Sequence, residues 1–450
     1  MIDIDFNSCK EARQKLLFAA KKFSEFFGTT LFLSGLEDSS SSYLCLLPYK
    51  KIQIEFGNPD PWGFLKKEMG EFKDQDSDFP SWFGYLSYEM GAFIEPHRII
   101  NHTPSLYPLA LFLKSSVVLW QKEHRIVIQI KREFQNEILD PFENCSIFFE
   151  DSFWHHLFSS DEYLVMESIE LFSKDEGETQ ESYIQKVKRA QEFIKAGDIY
   201  QVNLSRSVTF NTPSIPFSIF LRLAYKSAPN YSAFLNLNNF QIISISPEKF
   251  LSFEKGVIEA RPIKGTLAKT NSLEENHLRK ELLLSDPKED AELMMICDLM
   301  RNDLGKISEI GTVKCVHKKK IISLHNLFHL ESVIQSIPKP DHPLEYLRSC
   351  FPPGSITGCP KIRAMEIISL LEKRPRHIYC GSIGYFKPNG DFNFNVAIRT
   401  AVYSNVKLEL QIGGAVTYDS DPLKEFEETE AKAASFYEIL VQDAILSEKP

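Results

Sequence analysis

The pattern of apolar and polar positions changes character near residue 180. Before it, short alternating runs dominate. SSVVLW (115–120) and HRIVIQI (124–130) flank a QKE turn, as the strands of an antiparallel hairpin would. One longer stretch, CKEARQKLLFAAKKFSEFF (9–27), predicts a helix. The acidic segment 159–182, SSDEYLVMESIELFSKDEGETQES, keeps no period and predicts mostly a connection. Beyond it, SYIQKVKRAQEFIKAG places Ile184, Val187, Ala190, Phe193 and Ile194 on one helical face, with Gly197 as the stop. Strands are then expected in DIYQVNLSRSVTF, YSAFLNL, QIISIS and KFLSFEKGVIEAR, and helices at about 287–301, at 360–373 and from about 422. A hairpin-rich stretch lies between GSIGYF and LELQIGG. Strands and helices come in runs rather than strict alternation, so the predicted class is α+β with mainly antiparallel sheets. The organisation expected is an N-terminal region 1–150, an acidic connection 151–182 and a catalytic region 183–440.

Composition narrows the function classes. With 43% apolar and 25% charged residues, the 450-residue chain can build a large core. Its formal charge is −10 and its longest basic run is the KKK at 318–320, which argues against nucleic acid as a partner. No stretch approaches the ~20 apolar residues of a membrane span. The opening MIDIDFNSCKEARQK has no secretory apolar core, and eight scattered cysteines form no C-x-x-C pair. A cytoplasmic protein with reduced thiols is expected. Eleven histidines without an H-E-x-x-H or H-x-H cluster give no support to zinc.

Two helices open alike. Ser285-Asp286-Pro287 and Ser420-Asp421-Pro422 each set a capping Asp before a proline at the first helical position. Each is followed by an E-x-x-E pair, Glu289 with Glu292 and Glu425 with Glu428, whose members share a helix face. Such acids also suit a capping box and the helix dipole. Glu292, however, enters the apolar run AELMMICDLM, where a carboxylate needs a partner or a metal. Two such helices facing one another would offer oxygen ligands of the kind Mg²⁺ takes. A separate oddity is IEARPIKGTL (258–267), where Lys264 is expected at the apex of a tight turn between Pro262 and Gly265.

Nine stretches then occur in one order: GDIYQVNLSR (197–206), ISPEKF (245–250), RPIKGT (261–266), EDAELMMICDLMRNDLG (289–305), FPPGSITGCPKIRAM (351–365), GSIGYF (381–386), AIRTA (397–401), GGAVTYDSDP (413–422) and EETEAKA (427–433). Together they resemble the chorismate-utilising enzymes: the large subunits of anthranilate and aminodeoxychorismate synthases, and the isochorismate and salicylate synthases. FLSG (32–35) and WFGYLSYEMG (82–91) extend a looser likeness toward the N-terminus. The resemblance implies two packed antiparallel β-sheets with surrounding helices, and Mg²⁺-dependent chemistry on chorismate. It implies Glu292 and Glu428 as direct metal ligands, with Glu289 and Glu425 acting through metal-bound waters. Arg399, Lys432, Tyr385 and the backbone of Gly413 and Gly414 would hold the substrate carboxylates, with Ser355 and His329 lining the pocket. A family tryptophan pocket would use Ser34, Tyr231 and Ser232, although an arginine often found near it is missing from SSSSYL (39–44).

Two positions discriminate within the family. Water-using members carry a lysine base where this chain has Gln201, and a glutamine cannot remove a proton, so ammonia is the expected nucleophile. At Lys264, anthranilate synthases typically carry alanine, whereas aminodeoxychorismate synthases carry lysine. The resemblance makes Lys264 a covalent nucleophile at C2 of chorismate and Glu248 the general acid for the departing C4 hydroxyl. Ammonia then enters at C4, on the way to para-aminobenzoate and folate. The lysine must be neutral to attack, and Arg261 and the metal are its expected charged neighbours. The chain has no G-x-G-x-C-x-G nucleophile motif, so a separate glutaminase subunit is expected to supply the ammonia. Glu331, Ala431 and Cys359 depart from the family pattern, where valine, asparagine and alanine are usual. Anthranilate synthesis is the alternative activity, and a non-catalytic chorismate or tryptophan sensor the alternative of another class.

Overall fold

The structure is a computed structural model describing residues 1–35, 41–72, 77–95, 104–160, 162, 164–227, 229–270, 272–323 and 327–447. Among these residues twenty strands hydrogen-bond into one continuous sheet, and every pairing between named strands is antiparallel. Two long strands, Ser42–Ile54 and Ala110–Lys122, pair along most of their length and feed two branches. One branch passes through Thr30–Ser34, Tyr231–Asn236, Gln241–Ser246, Thr400–Ser404 and Lys407–Val416 to Gln201–Asn211. The other passes through Trp82–Leu86, Ser382–Phe386, Phe392–Asn395, Lys249–Glu254 and Val257–Arg261 to Leu327–Ser336. That last strand also carries Ile263–Ala268 on one side and Lys314–Ser323 on the other. Strands from 1–150 therefore pair directly with strands from 183–440.

The expected two packed sheets are these two branches. Phe32, Leu235 and Val402 of one meet Phe83, Tyr85 and Ile383 of the other in a shared apolar core. Helices cover the outer faces. Cys9–Phe23, Pro216–Ser227 and Lys361–Glu372 pack on the first branch, the last of them on Gln201–Asn211, and Pro287–Ile307 and Pro343–Cys350 on the second. The helix at Gln180–Lys195 buries Val187 and Ala190 of the predicted face, with Phe193 and Ile194 partly buried against the core, while Tyr183 is buried in place of Ile184. Of the expected connection 151–182, Asp151–Ser159 is a helix, Ser173–Asp175 a short strand and Gln180 the start of the next helix, and the other described residues are irregular. Among the described residues no helix is long and apolar enough to cross a membrane.

Lys264 does not sit at the apex of a tight turn. Pro262 has no N–H and ends one strand, but its carbonyl accepts from Ser332 N at 3.1 Å, so the ladder resumes at once. Lys264 then lies opposite Leu330, and the register slips by one residue before Thr266. Gly265 is the unpaired residue, with φ of +65°, which makes this a glycine bulge. A side chain on Gly265 would meet Leu283 at 3.0 Å and the Glu289 carboxylate at 3.1 Å. The strand needs glycine there so that it can lie directly under the acidic helix.

Candidate active site

Four elements bring charged side chains to one place. The bulged strand supplies Lys264, and the helix Pro287–Ile307 supplies Glu289 and Glu292. The helix Pro422–Ser447 supplies Glu425, Glu428 and Lys432, and the turn before Lys249–Glu254 supplies Glu248. Both acidic helices start as their sequences predict. Asp286 accepts from the N–H groups of Lys288 and Glu289, and Asp421 from those of Leu423 and Lys424.

The Lys264 side chain is only 13% exposed, and its amine lies 3.9 Å from Glu292. Burial lowers its pKa; Glu292 opposes the shift, and Lys432 adds to it. The neighbouring cation is thus Lys432 rather than the expected Arg261. Arg261 points to the opposite sheet face, pairing with Glu259 at 2.7 Å and Glu331 at 3.9 Å. Strand alternation explains the difference: residues 259, 261 and 263 share one face, and 264 opens onto the other.

Glu248 is 4% exposed, and burial raises its pKa from 4.5 to about 7, against a hydrogen bond from Ser355 and the charge of Lys264. The Ser355 hydroxyl donates to it at 2.5 Å. This is a carboxyl group able to hold a proton near neutrality, in the field of an amine whose pKa burial lowers. His329 Nδ1 lies 3.1 Å from the Gly265 carbonyl, and burial followed by the charge of Arg399 pushes the ring down to about 3, so it is neutral. Arg399, held at φ of +49°, has a buried guanidinium whose pKa falls to about 10 through burial, with no acid beside it among the described residues. A buried cation without a counter-charge calls for an anionic ligand.

The remaining expected residues fall less simply. Lys432 pairs with Glu428 at 2.7 Å and donates to the Gly413 carbonyl at 3.0 Å. Burial pushes the Glu428 pKa up, but Lys432 and Lys264 outweigh it and the net shift is downward. Glu425 and Glu289 shift upward, each chiefly through burial, and the Ser420 hydroxyl donates to Glu425 at 2.6 Å. The second oxygen of Glu425 is buried without a hydrogen-bond partner among the described residues, 3.0 Å from where a Gly414 side chain would begin. Gln201 is fully buried, and neither atom of its amide has a partner among those residues.

Tyr385 is not with this cluster. It shares a strand face with Ile383, packs edge-on against Phe32 and Tyr43 in the core between the branches, and lines a cavity of about 480 Å³ with Tyr231, Lys249 and Arg261. Its period-2 partnership with Ile383 in GSIGYF already indicated that face. The tyrosine at the glycine pair is Tyr379, whose hydroxyl lies 3.0 Å from the position of a Gly413 side chain. Of the three residues expected for tryptophan, Tyr231 lines the cavity. Ser34 and Ser232 are buried in paired strands, Ser34 bonding Ser42 at 3.1 Å. Positions 39 and 40 of SSSSYL lie outside the described residues.

A divalent metal fits the chemistry of the acids: all donors are hard carboxylate oxygens, and Glu425 presents one that is buried and unpartnered. Among the described residues no three His, Cys, Asp or Glu side chains converge into a ready-made cage. One or two carboxylates completed by water and substrate oxygens is the usual Mg²⁺ arrangement.

Known proteins agree with this architecture. The family described as chorismate binding enzyme matches residues 29–438. Anthranilate synthase component 1 of Aquifex aeolicus is 33% identical over 388 residues, spanning 84% of this chain and 78% of its own length. Aminodeoxychorismate synthase component 1 of Escherichia coli is 38% identical over 252 residues, 56% of each chain. The crystal structure of anthranilate synthase component I from Streptococcus pneumoniae superposes with a TM-score of 0.74 at 27% identity, covering 90% of this chain and 93% of that one.

Proposed function

The chain belongs to the chorismate-binding enzyme family, and on that premise we propose that it aminates chorismate at C4 with ammonia, giving 4-amino-4-deoxychorismate through a covalent bond to Lys264. The observation that carries this reading is the Lys264 amine, whose pKa burial lowers, in the field of the buried Glu248 carboxyl, whose pKa is raised. Neutral Lys264 attacks C2, both conjugated ring double bonds shift, and the C4–O bond breaks as Glu248 gives its proton to the leaving hydroxyl. Ammonia then attacks C4, both double bonds shift back, and the C2–N bond breaks to return the amine. Glu248 recovers a proton from the incoming nitrogen, so the balance is chorismate plus ammonia giving aminated product plus water. Arg399 and Tyr379 bind the carboxylates, and His329 stays neutral beside them. Gln201 offers hydrogen bonds to ammonia but cannot activate water as a base.

Glu292 and Glu428 would hold Mg²⁺ directly, and Glu289 and Glu425 through water. The metal would supply positive charge for the substrate carboxylate in an acidic chain. A separate glutaminase subunit supplies the ammonia, so the chain alone should make no product from glutamine. Tryptophan, if retained, occupies the Tyr231–Tyr385 cavity; chromatography of the denatured protein would detect it. Anthranilate synthesis is the second reading, favoured by the longer alignment with the Aquifex aeolicus protein. Purified protein with chorismate, Mg²⁺ and ammonium decides between them. The expected product is non-fluorescent aminodeoxychorismate, identified by mass; fluorescent anthranilate as the main product overturns the proposal.

A further inference from the structure

Behind the site lies a buried ion network that the proposed chemistry does not use. Arg376 is 1% exposed, and each of its three guanidinium nitrogens donates a hydrogen bond. It donates to both oxygens of Glu372 at 3.0 and 2.7 Å, to the Ile356 carbonyl at 3.1 Å and to the Asn203 carbonyl at 2.7 Å. Its own backbone is pinned from the N-terminal third of the chain. One oxygen of Glu89, on the short 3₁₀ turn Tyr88–Phe93, accepts from the N–H groups of Arg376 at 2.7 Å and His377 at 3.2 Å. Tyr88 N donates to the His377 carbonyl at 2.8 Å, and the Tyr88 ring lies 4.8 Å beneath the Arg376 guanidinium.

The places this network touches matter. Ile356 follows Ser355, whose hydroxyl holds Glu248. Three residues after Arg376 comes Tyr379, in a segment where Lys373, His377 and Cys380 all have positive φ. Such conformations persist only where surrounding bonds over-determine them. A buried ion pair is a poor source of net stability, so what it contributes is geometry.

We propose that Glu89 and Arg376 are positioning residues of the active site. Glu89 fixes the backbone of the Arg376 segment, and Arg376 fixes the 354–356 turn that presents Ser355 to Glu248. The same segment sets the Tyr379 hydroxyl at Gly413. The inference rests on the reading of Glu248 as an acid of the reaction.

The test compares reach with charge in the full chain, assayed with chorismate, Mg²⁺ and ammonium. Glu89→Asp keeps the charge but withdraws the carboxylate by one methylene, so it cannot serve both N–H groups. Glu89→Gln loses the charge but keeps a carbonyl oxygen in place. Misplacement of about 1 Å costs up to ~100-fold in rate. The expected result is a fall in kcat of about tenfold or more for Glu89→Asp, with the chorismate KM within about threefold, and near-normal kcat for Glu89→Gln. If Glu89→Asp does not fold, Arg376→Lys is read by the same criteria, because an ammonium cannot span Ile356 and Asn203 together. A lowered melting temperature with unchanged kcat, or a Glu89→Gln enzyme as impaired as Glu89→Asp, overturns the proposal. Glu248→Gln is measured alongside. If it is fully active, the role of Glu248 fails; if it is inactive while Glu89→Asp is not, only the present inference fails.

Discussion

Replacing Glu248 by glutamine should separate stability from activity in opposite directions. The wild-type carboxyl is buried, accepts a 2.5 Å hydrogen bond from Ser355, and has its pKa raised from 4.5 to about 7. Between those two values the folded state keeps a proton that the unfolded chain has lost. The contribution of Glu248 to stability is therefore highest below pH 4.5 and declines as pH rises, and above about 7 the full cost of its buried charge is present. A rise of this size corresponds to about 3 kcal/mol. Glutamine is neutral throughout and keeps the oxygen that Ser355 needs. The variant should gain up to about 3 kcal/mol over wild type at pH 8 and little at pH 4.5. Its kcat should fall by about 10²–10⁴, the range a general acid contributes. The assay is urea unfolding at both pH values, together with rates from pH 6 to 9 at fixed free ammonia. Wild-type kcat should fall about tenfold per pH unit above about 7, where Glu248 loses its proton, while the variant shows no such fall. A variant with wild-type kcat, or one no more stable at pH 8, would refute the assignment.

Lys264→Ala should lose most C4 amination, and with chorismate and Mg²⁺ but no ammonia only the wild type should form an adduct on the Lys264 peptide, of the mass of chorismate less water. Lys264→Arg should be equally poor, since guanidinium stays protonated, and full C4 amination by it would reduce the lysine to an electrostatic role. Glu292→Gln and Glu428→Gln should each abolish turnover at ordinary Mg²⁺ without unfolding; near-normal rates in either would remove the metal assignment. Tyr379→Phe should raise the chorismate KM about tenfold, the scale of one lost hydrogen bond, with kcat less affected, whereas Tyr385→Phe should leave both unchanged. The reverse pattern would return the substrate role to Tyr385.

Much of this protein is legible in its sequence. Local signals are strong where they rest on one element: the Asp-Pro openings of both acidic helices, the apolar stripe before Gly197, and the alternating strands from 201 onward all formed as their spacing predicts. The same sequence placed Glu289, Glu292, Glu425 and Glu428 on two helices, because i to i+3 spacing is a property of the helix itself. What it could not settle was anything that depends on which face of the sheet meets which neighbour. Lys264 looked like the apex of a turn because Pro262 and Gly265 are turn residues. Only pairing with Leu327–Ser336 turns that stretch into a bulged strand. Arg261 and Tyr385 looked like members of the site from their place in ordered motifs, yet each points to the opposite side of the sheet. Pleating assigns residues to alternate faces, but which face borders the substrate is decided by distant strands and helices packing on it. The pKa shifts of Lys264, Glu248 and Arg399 are of the same kind, since they arise from burial, and burial is a property of the assembled core.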